Sequence, residues 1–318
     1  MTEFWKEVRL AAVMGLVVPG IVLAIAVSLY EPDPPSEPTA PPEEPREAIM
    51  IPVLHEDAVT EMELNDYLTG VVLAEMPASF EEEARKAQAV VARTYTIRAW
   101  KRGGKHEGAA VCTDSNCCQG YISQDGYIAK GGTEENVEKM RSAVEETADL
   151  VLTYEGQLIE ATYFSCSGGS TEDAVAVWGT DVPYLQAVSS PGEEHATHYT
   201  DTVSFTAEIF ASALGLKLSG DPASWFGPVT YTAGGGVATM EICGTSYTGT
   251  ALRGALGLRS TAFTVTVQSD TITITTRGYG HRVGMSQYGA DAMALTGSTY
   301  GEILAHYYQG TTLTEWVH

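Results

Sequence analysis

Apolar and polar positions divide the chain into three zones. From Leu10 to Tyr30 there is no charged residue. At about 1.5 Å per residue that run reaches about 30 Å, the thickness of a bilayer core. Pro19 and Gly20 lie mid-run, where a membrane helix tolerates them better than a soluble one. Lys6 and Arg9 precede it, and Glu31, Asp33, Glu37, Glu43 and Glu44 follow. Positive charge stays inside, so the expected topology is a cytoplasmic N-terminus with the remainder exported. A cleaved signal peptide is the rival. The run is longer than a usual signal core, and no clean small-x-small site follows it.

Residues 31–48 are rich in Pro and Glu. Such a segment cannot bury a core and favours extended polyproline II. At about 3.1 Å per residue it would reach about 55 Å. The expected organisation is a tail over 1–9, an anchor over 10–30, a linker over 31–49 and a body over 50–318.

In the body the period changes from element to element. Residues 50–60 read as a strand region. Leu64, Tyr67, Leu68, Val71 and Val72 form a helical stripe that Pro77 ends. Ser79, with Glu82 three residues on, reads as a capping box opening a second helix that runs to Trp100 and closes at Gly103-Gly104. A third helix is expected over 134–147. Leu150–Tyr154 and Leu158–Phe164 suggest a hairpin. Val229–Thr232, Phe263–Gln268 and Thr271–Thr276 suggest strands, and Tyr300–Tyr308 a last helix. Early helices and later strands predict an α+β body.

Net charge adds an exclusion. At −23 the chain repels nucleic acid and anionic headgroups. Of five cysteines, three lie within seven residues, which is a local cluster rather than a disulfide framework.

Four features carry chemistry. Glu75 lies on the apolar stripe, three and four residues after Val72 and Val71. Burial raises a carboxyl pKa and keeps a proton available for donation. The bland alternative is a helix-end acid, exposed or paired with Arg85 or Arg93. Within HEGAAVCTDSNCCQGY, His106, Cys112 and Cys118 recur every six residues. Imidazole and thiolate suit zinc, and Cys117 competes with Cys118. A disulfide such as Cys112 with Cys118 is the rival in an oxidising compartment. The segments YFSCSGGST (163–171) and GYGHRVGMSQYGA (278–290) mix glycine with hydroxyl, amide and aromatic groups. Such loops let backbone approach a ligand, and their side chains suit a sugar. His281 could be a base, a metal ligand or a structural hydrogen-bonder. Neither segment is a phosphate loop, and no G-x-S-x-G elbow occurs.

Taken in order, YLTGVVLAEMPASFEEEARKAQAVVARTYTI, the Cys/His segment, SCSGGSTEDAVAVWGTDVPYL, LGLRSTAF and GYGHRVGMSQYGA resemble the stage II sporulation protein D family, to which the amidase enhancers are related. The resemblance covers about residues 50–316 and includes the anchor. It implies a lytic transglycosylase that cuts peptidoglycan glycan strands during engulfment, on the outer face of the mother-cell membrane. It implies Glu75 as the catalytic acid/base and zinc on His106, Cys112 and Cys118, with the extra Cys117 a departure from the family. Zinc is expected to be structural. Tyr163, Ser165, Ser167, Gly168, Gly169, His281, Met285, Ser286, Gln287 and Tyr288 fall in blocks associated with the substrate groove. The implied partners are glycan stripped of stem peptides, an amidase and a further membrane protein. The rival function is a noncatalytic glycan-binding activator of an amidase. A redox protein is disfavoured, because no C-x-x-C motif is present.

Overall fold

The chain was analysed as a computed structural model, which describes residues 48–317 apart from Leu218. The expected anchor and most of the linker lie outside the described residues. Among those residues no helix is long and apolar enough to cross a membrane.

A hairpin, Met50–His55 with Ala58–Glu63, runs directly into the helix Leu64–Glu75. The Glu63 carboxylate caps that helix by accepting the Asp66 N–H at 2.8 Å. The expected stripe is the buried face, with Tyr67, Leu68, Val71 and Val72 fully covered. Met76 turns extended and Pro77 prevents continuation.

The helix Glu82–Lys101 forms the centre of the main core. Small residues at Ala84, Ala87, Ala89 and Ala92 let neighbours approach on several sides. Helices Leu64–Glu75, Glu134–Glu146, Gln287–Leu295 and Tyr300–Tyr307 all pack on it. The expected Ser79 capping box does not form. The helix begins three residues later, and Asp291 Oδ1 accepts the Glu81 N–H at 2.7 Å. A carboxylate 210 residues away therefore does the work assigned to a local hydroxyl.

Arg93 is buried on this helix. Its guanidinium donates to the Val144 and Thr147 carbonyls at 2.7 Å each, closing the end of Glu134–Glu146, where carbonyls lack helical partners. Arg93→Ala orphans those carbonyls and leaves a void. It is expected to cost about 3–5 kcal/mol in urea unfolding; a loss under about 1 kcal/mol would show that water replaces the guanidinium freely.

The second half holds a lobe with its own core, inserted into the first. Thr200–Thr206 pairs with Thr271–Arg277 in a register ending at Thr200↔Arg277, so the chain leaves and returns at one point. Inside lie the three-stranded sheet Phe226–Tyr231, Val237–Ile242, Thr245–Thr248 and the strand Phe263–Gln268. Phe210, Trp225, Ile242, Leu252, Phe263, Ile272 and Ile274 fill the space between. The α+β expectation is met, with two cores rather than one.

The expected hairpin at 150–164 is only half formed. Leu150–Tyr154 pairs with Gln157–Leu158 and, on its other side, with Thr312–Glu315. Tyr163–Phe164 instead pairs in parallel with Met285–Ser286. That non-local pairing brings the two glycine-rich segments together. Gly284 allows it: its φ is +83°, and a Cβ there would meet the Thr162 carbonyl oxygen at 2.1 Å.

Candidate active site

Glu75 is the last residue of its helix, half-buried at the end of the apolar stripe. Neither arginine of the bland alternative reaches it. Arg85 donates to the carbonyls of Ala78 and Phe80, and Arg93 is occupied as described. The Gly120 N–H donates to Glu75 Oε1 at 2.6 Å. Burial pushes the Glu75 carboxyl above the ordinary range, and the Gly120 N–H, Tyr163 and Gln287 only partly oppose that push. With Oε1 held by backbone, Oε2 is left to carry the proton.

Glu75 lines a cleft of about 330 Å³ together with Tyr163, Ser165, Tyr279, His281 and Gln287. A second cavity of about 360 Å³ shares Glu75, Ser165 and Gln287 and adds Phe80, Tyr127 and Tyr288. The carboxylate thus lines both cavities. It is the only carboxylate lining either one among the described residues.

His281 is hydrogen-bonded to its own loop. The Val283 N–H donates to its Nδ1 at 3.1 Å, which leaves the hydrogen on Nε2. Burial and the nearby Arg253 charge pull it down to about 4, so the ring is neutral at physiological pH. Five of the expected groove residues stand behind the cleft rather than in it. Ser167 is fully buried and donates from Oγ to Glu193 Oε1 at 2.8 Å. The Gly168 N–H donates to Glu193 Oε2, and the Gly169 N–H to Ser167 Oγ. Met285 is core, and Ser286 caps the helix Gln287–Leu295 by accepting the Gly289 N–H at 3.2 Å. Their role is to fix the loop, with Arg282 clamping it: Nε donates to Ser167 O, Nη2 to Ser170 O and Gly234 O, and Nη1 pairs with Glu172 at 2.9 Å.

The Cys/His segment forms one wall of the cleft, to which it contributes Ser115 and Cys118. The ligand atoms of His106, Cys112, Cys117 and Cys118 all lie within 4.8 Å of one another. His106 Nε2 is 3.5 Å from Cys117 Sγ and 3.7 Å from Cys118 Sγ, and the two sulfurs are 4.0 Å apart. A tetrahedral zinc ion needs about 3.8 Å between sulfurs and about 3.5 Å from nitrogen to sulfur, so the set fits one. The Asp114 carbonyl accepts the backbone N–H groups of both Cys117 and Cys118, at 3.0 and 2.9 Å, so four residues rather than the expected three could hold an ion. Burial raises the Cys112 thiol to about 12, so without a cation it stays protonated; a bound cation would deprotonate it. All five cysteines are free, with Cys166 buried and Cys243 exposed.

This wall is tied to the acid. Gln119, next to Cys118, donates to Thr96 Oγ1 at 2.9 Å and accepts from the Tyr163 hydroxyl at 3.3 Å. Gly120, the next residue, holds Glu75. A Cβ at Gly120 would lie 2.9 Å from Glu75 Oε1. Gly120→Ala is therefore expected to displace the carboxylate and lower turnover by about 10-fold or more while the fold persists. Unchanged turnover with unchanged circular dichroism would show that the contact is incidental. A backbone donor leaves no side-chain signal, so this contact was missed from the sequence. Tyr95 and Phe164 were missed as lining residues because each also suits a core position.

A family model described as stage II sporulation protein matches residues 55–154, the stretch holding Glu75 and the Cys/His cluster. Stage II sporulation protein D of Bacillus subtilis (strain 168) is 42% identical over 274 residues, covering 84% of this chain and 79% of that protein. The protein of that name from Bacillus amyloliquefaciens is 40% identical over 263 residues, covering 81% and 76%. An amidase enhancer of Bacillus subtilis is 32% identical over 307 residues, covering 78% of this chain and 40% of that protein.

Proposed function

Because the chain belongs to the stage II sporulation protein D family, we propose that it is a membrane-anchored lytic transglycosylase cleaving peptidoglycan glycan strands during engulfment. One observation carries the reading: a single carboxylate with a raised pKa lines the junction of two polar-aromatic cavities. Glycoside hydrolases generally need two carboxylates. A lytic transglycosylase needs one, because the muramic acid C6 hydroxyl attacks its own C1 and forms a 1,6-anhydro ring. That attack is intramolecular, so positioning replaces an activated water.

In this mechanism Glu75 gives its proton to the glycosidic oxygen as the C1–O bond breaks. It then accepts the C6 hydroxyl proton as the new C1–O6 bond closes. Protons balance and no water is consumed. The Gly120 N–H holds Oε1 through both steps and stabilises the carboxylate between them. Tyr163, Ser165 and Gln287 orient the sugars.

Zinc, held by His106, Cys112, Cys117 and Cys118, would supply rigidity to the loop that carries Gly120. We assign residues 10–30 as the anchor, residues 31–49 as the linker, and the space between the septal membranes as the site of action. Protease added outside mother-cell protoplasts should then digest the body and spare an N-terminal tag; protection of the body would overturn that assignment.

The named amidase enhancer among the relatives keeps a second reading in play, activation of an amidase by glycan binding alone. Mass spectrometry of products from peptide-free glycan separates the two. A 1,6-anhydromuramic end supports cleavage. No product, together with stimulation of an added amidase, would replace it with the activator.

A further inference from the structure

Beside the cleft lie aromatic surfaces that the proposed chemistry does not use. Trp178 is 44% exposed and Tyr279 is 38% exposed. Tyr279 and His281 both line the cleft. The Trp178 indole is 5.4 Å from the His281 ring, centre to centre, and Phe164 supports that ring from 5.6 Å. Tyr279 is braced from two sides. The Arg259 guanidinium stacks on it at 4.8 Å and pairs with Asp201 at 3.0 Å, and the His198 ring meets it edge-on at 5.4 Å. Each ring is thus fixed in orientation while still open to solvent. Fixed open rings suit the apolar face of a pyranose, at little cost in side-chain freedom.

We propose that Trp178 and Tyr279 form a sugar-stacking shelf that extends the cleft beyond the pair of sugars flanking the bond cut at Glu75. The shelf binds a further pyranose of the same glycan strand, so the protein prefers long strands over short ones. Arg259 acts as a positioning residue that holds the Tyr279 ring. The shelf rests on the glycan reading of the site, but its test does not require cleavage.

The test uses the full chain in detergent and two probes: purified peptide-free peptidoglycan strands and the disaccharide unit cut from them. Binding is measured by calorimetry in the Glu75→Gln background, so no turnover intervenes. Trp178→Ala is expected to weaken strand binding about tenfold, with disaccharide binding unchanged. Trp178→Phe should restore most of the loss. In the otherwise unaltered protein, Trp178→Ala should raise KM for strands with kcat kept. Equal losses on both probes would show a general structural defect and overturn the shelf. Unchanged strand binding would also overturn it and would mark the exposed rings as a protein-docking face. Failure of the catalytic reading shows differently: strands still bind, but the unaltered protein gives no anhydro product.

Discussion

Glu75→Gln is expected to lower glycan cleavage by about 10²- to 10⁴-fold, the usual contribution of a general acid. The amide keeps the size of the carboxyl and can still accept the Gly120 N–H, so the cleft should keep its shape. What it loses is the transferable proton. Burial is the main cause of the raised pKa, and the pH dependence follows from its sign. Cleavage should fall as pH rises through the raised pKa, because the acid form disappears. Stability should fall over the same range. Between the ordinary carboxyl pKa and the raised one, the folded chain binds a proton that the unfolded chain has released. Above both values the charge is fully formed, and its desolvation weighs on the fold. The Glu75→Gln variant lacks that charge, so its melting temperature at about pH 8 should equal or exceed the parent's. A variant that melts lower would mean that the carboxylate is a structural ion rather than a strained acid.

Metal removal is the second large effect. A structural zinc contributes folding free energy directly, and its loss is among the few changes costing more than about 4 kcal/mol. Chelation, or His106→Ala, is expected to lower the melting temperature by about 10 °C or more. Cleavage should fall with it well below the new melting temperature. The reason is adjacency in the chain: Cys118 would ligate the ion, Gln119 ties to Thr96 and Tyr163, and Gly120 holds the Glu75 carboxylate. Readdition of zinc should restore both. An unchanged melting temperature and full activity after chelation would show that the loop needs no ion.

Some of this was legible because local pattern decided it. The stripe ending at Glu75 is helical periodicity, and the Cys/His cluster is short-range spacing of metal-binding groups. What stayed hidden depended on distant parts of the chain. Asp291 took the cap that Ser79 was expected to supply. Tyr163–Phe164 found its partner at Met285–Ser286 instead of in a hairpin. The helix Gln287–Leu295 was read as loop because of its glycines. Gly289 is there because Tyr307, Ser190 and Glu193 leave no room for a Cβ, not because the backbone must turn. Cys117 was read as a competitor of Cys118, because a residue count does not reveal a turn over Asp114 that brings the adjacent sulfurs within 4.0 Å of each other.

Cleavage of peptide-free glycan in heavy-oxygen water tests the central claim most directly, because a one-carboxylate mechanism consumes no water. The expected product ends in 1,6-anhydromuramic acid, is lighter than a hydrolysis product by one water, and carries no label. A reducing end bearing the heavy oxygen would contradict it.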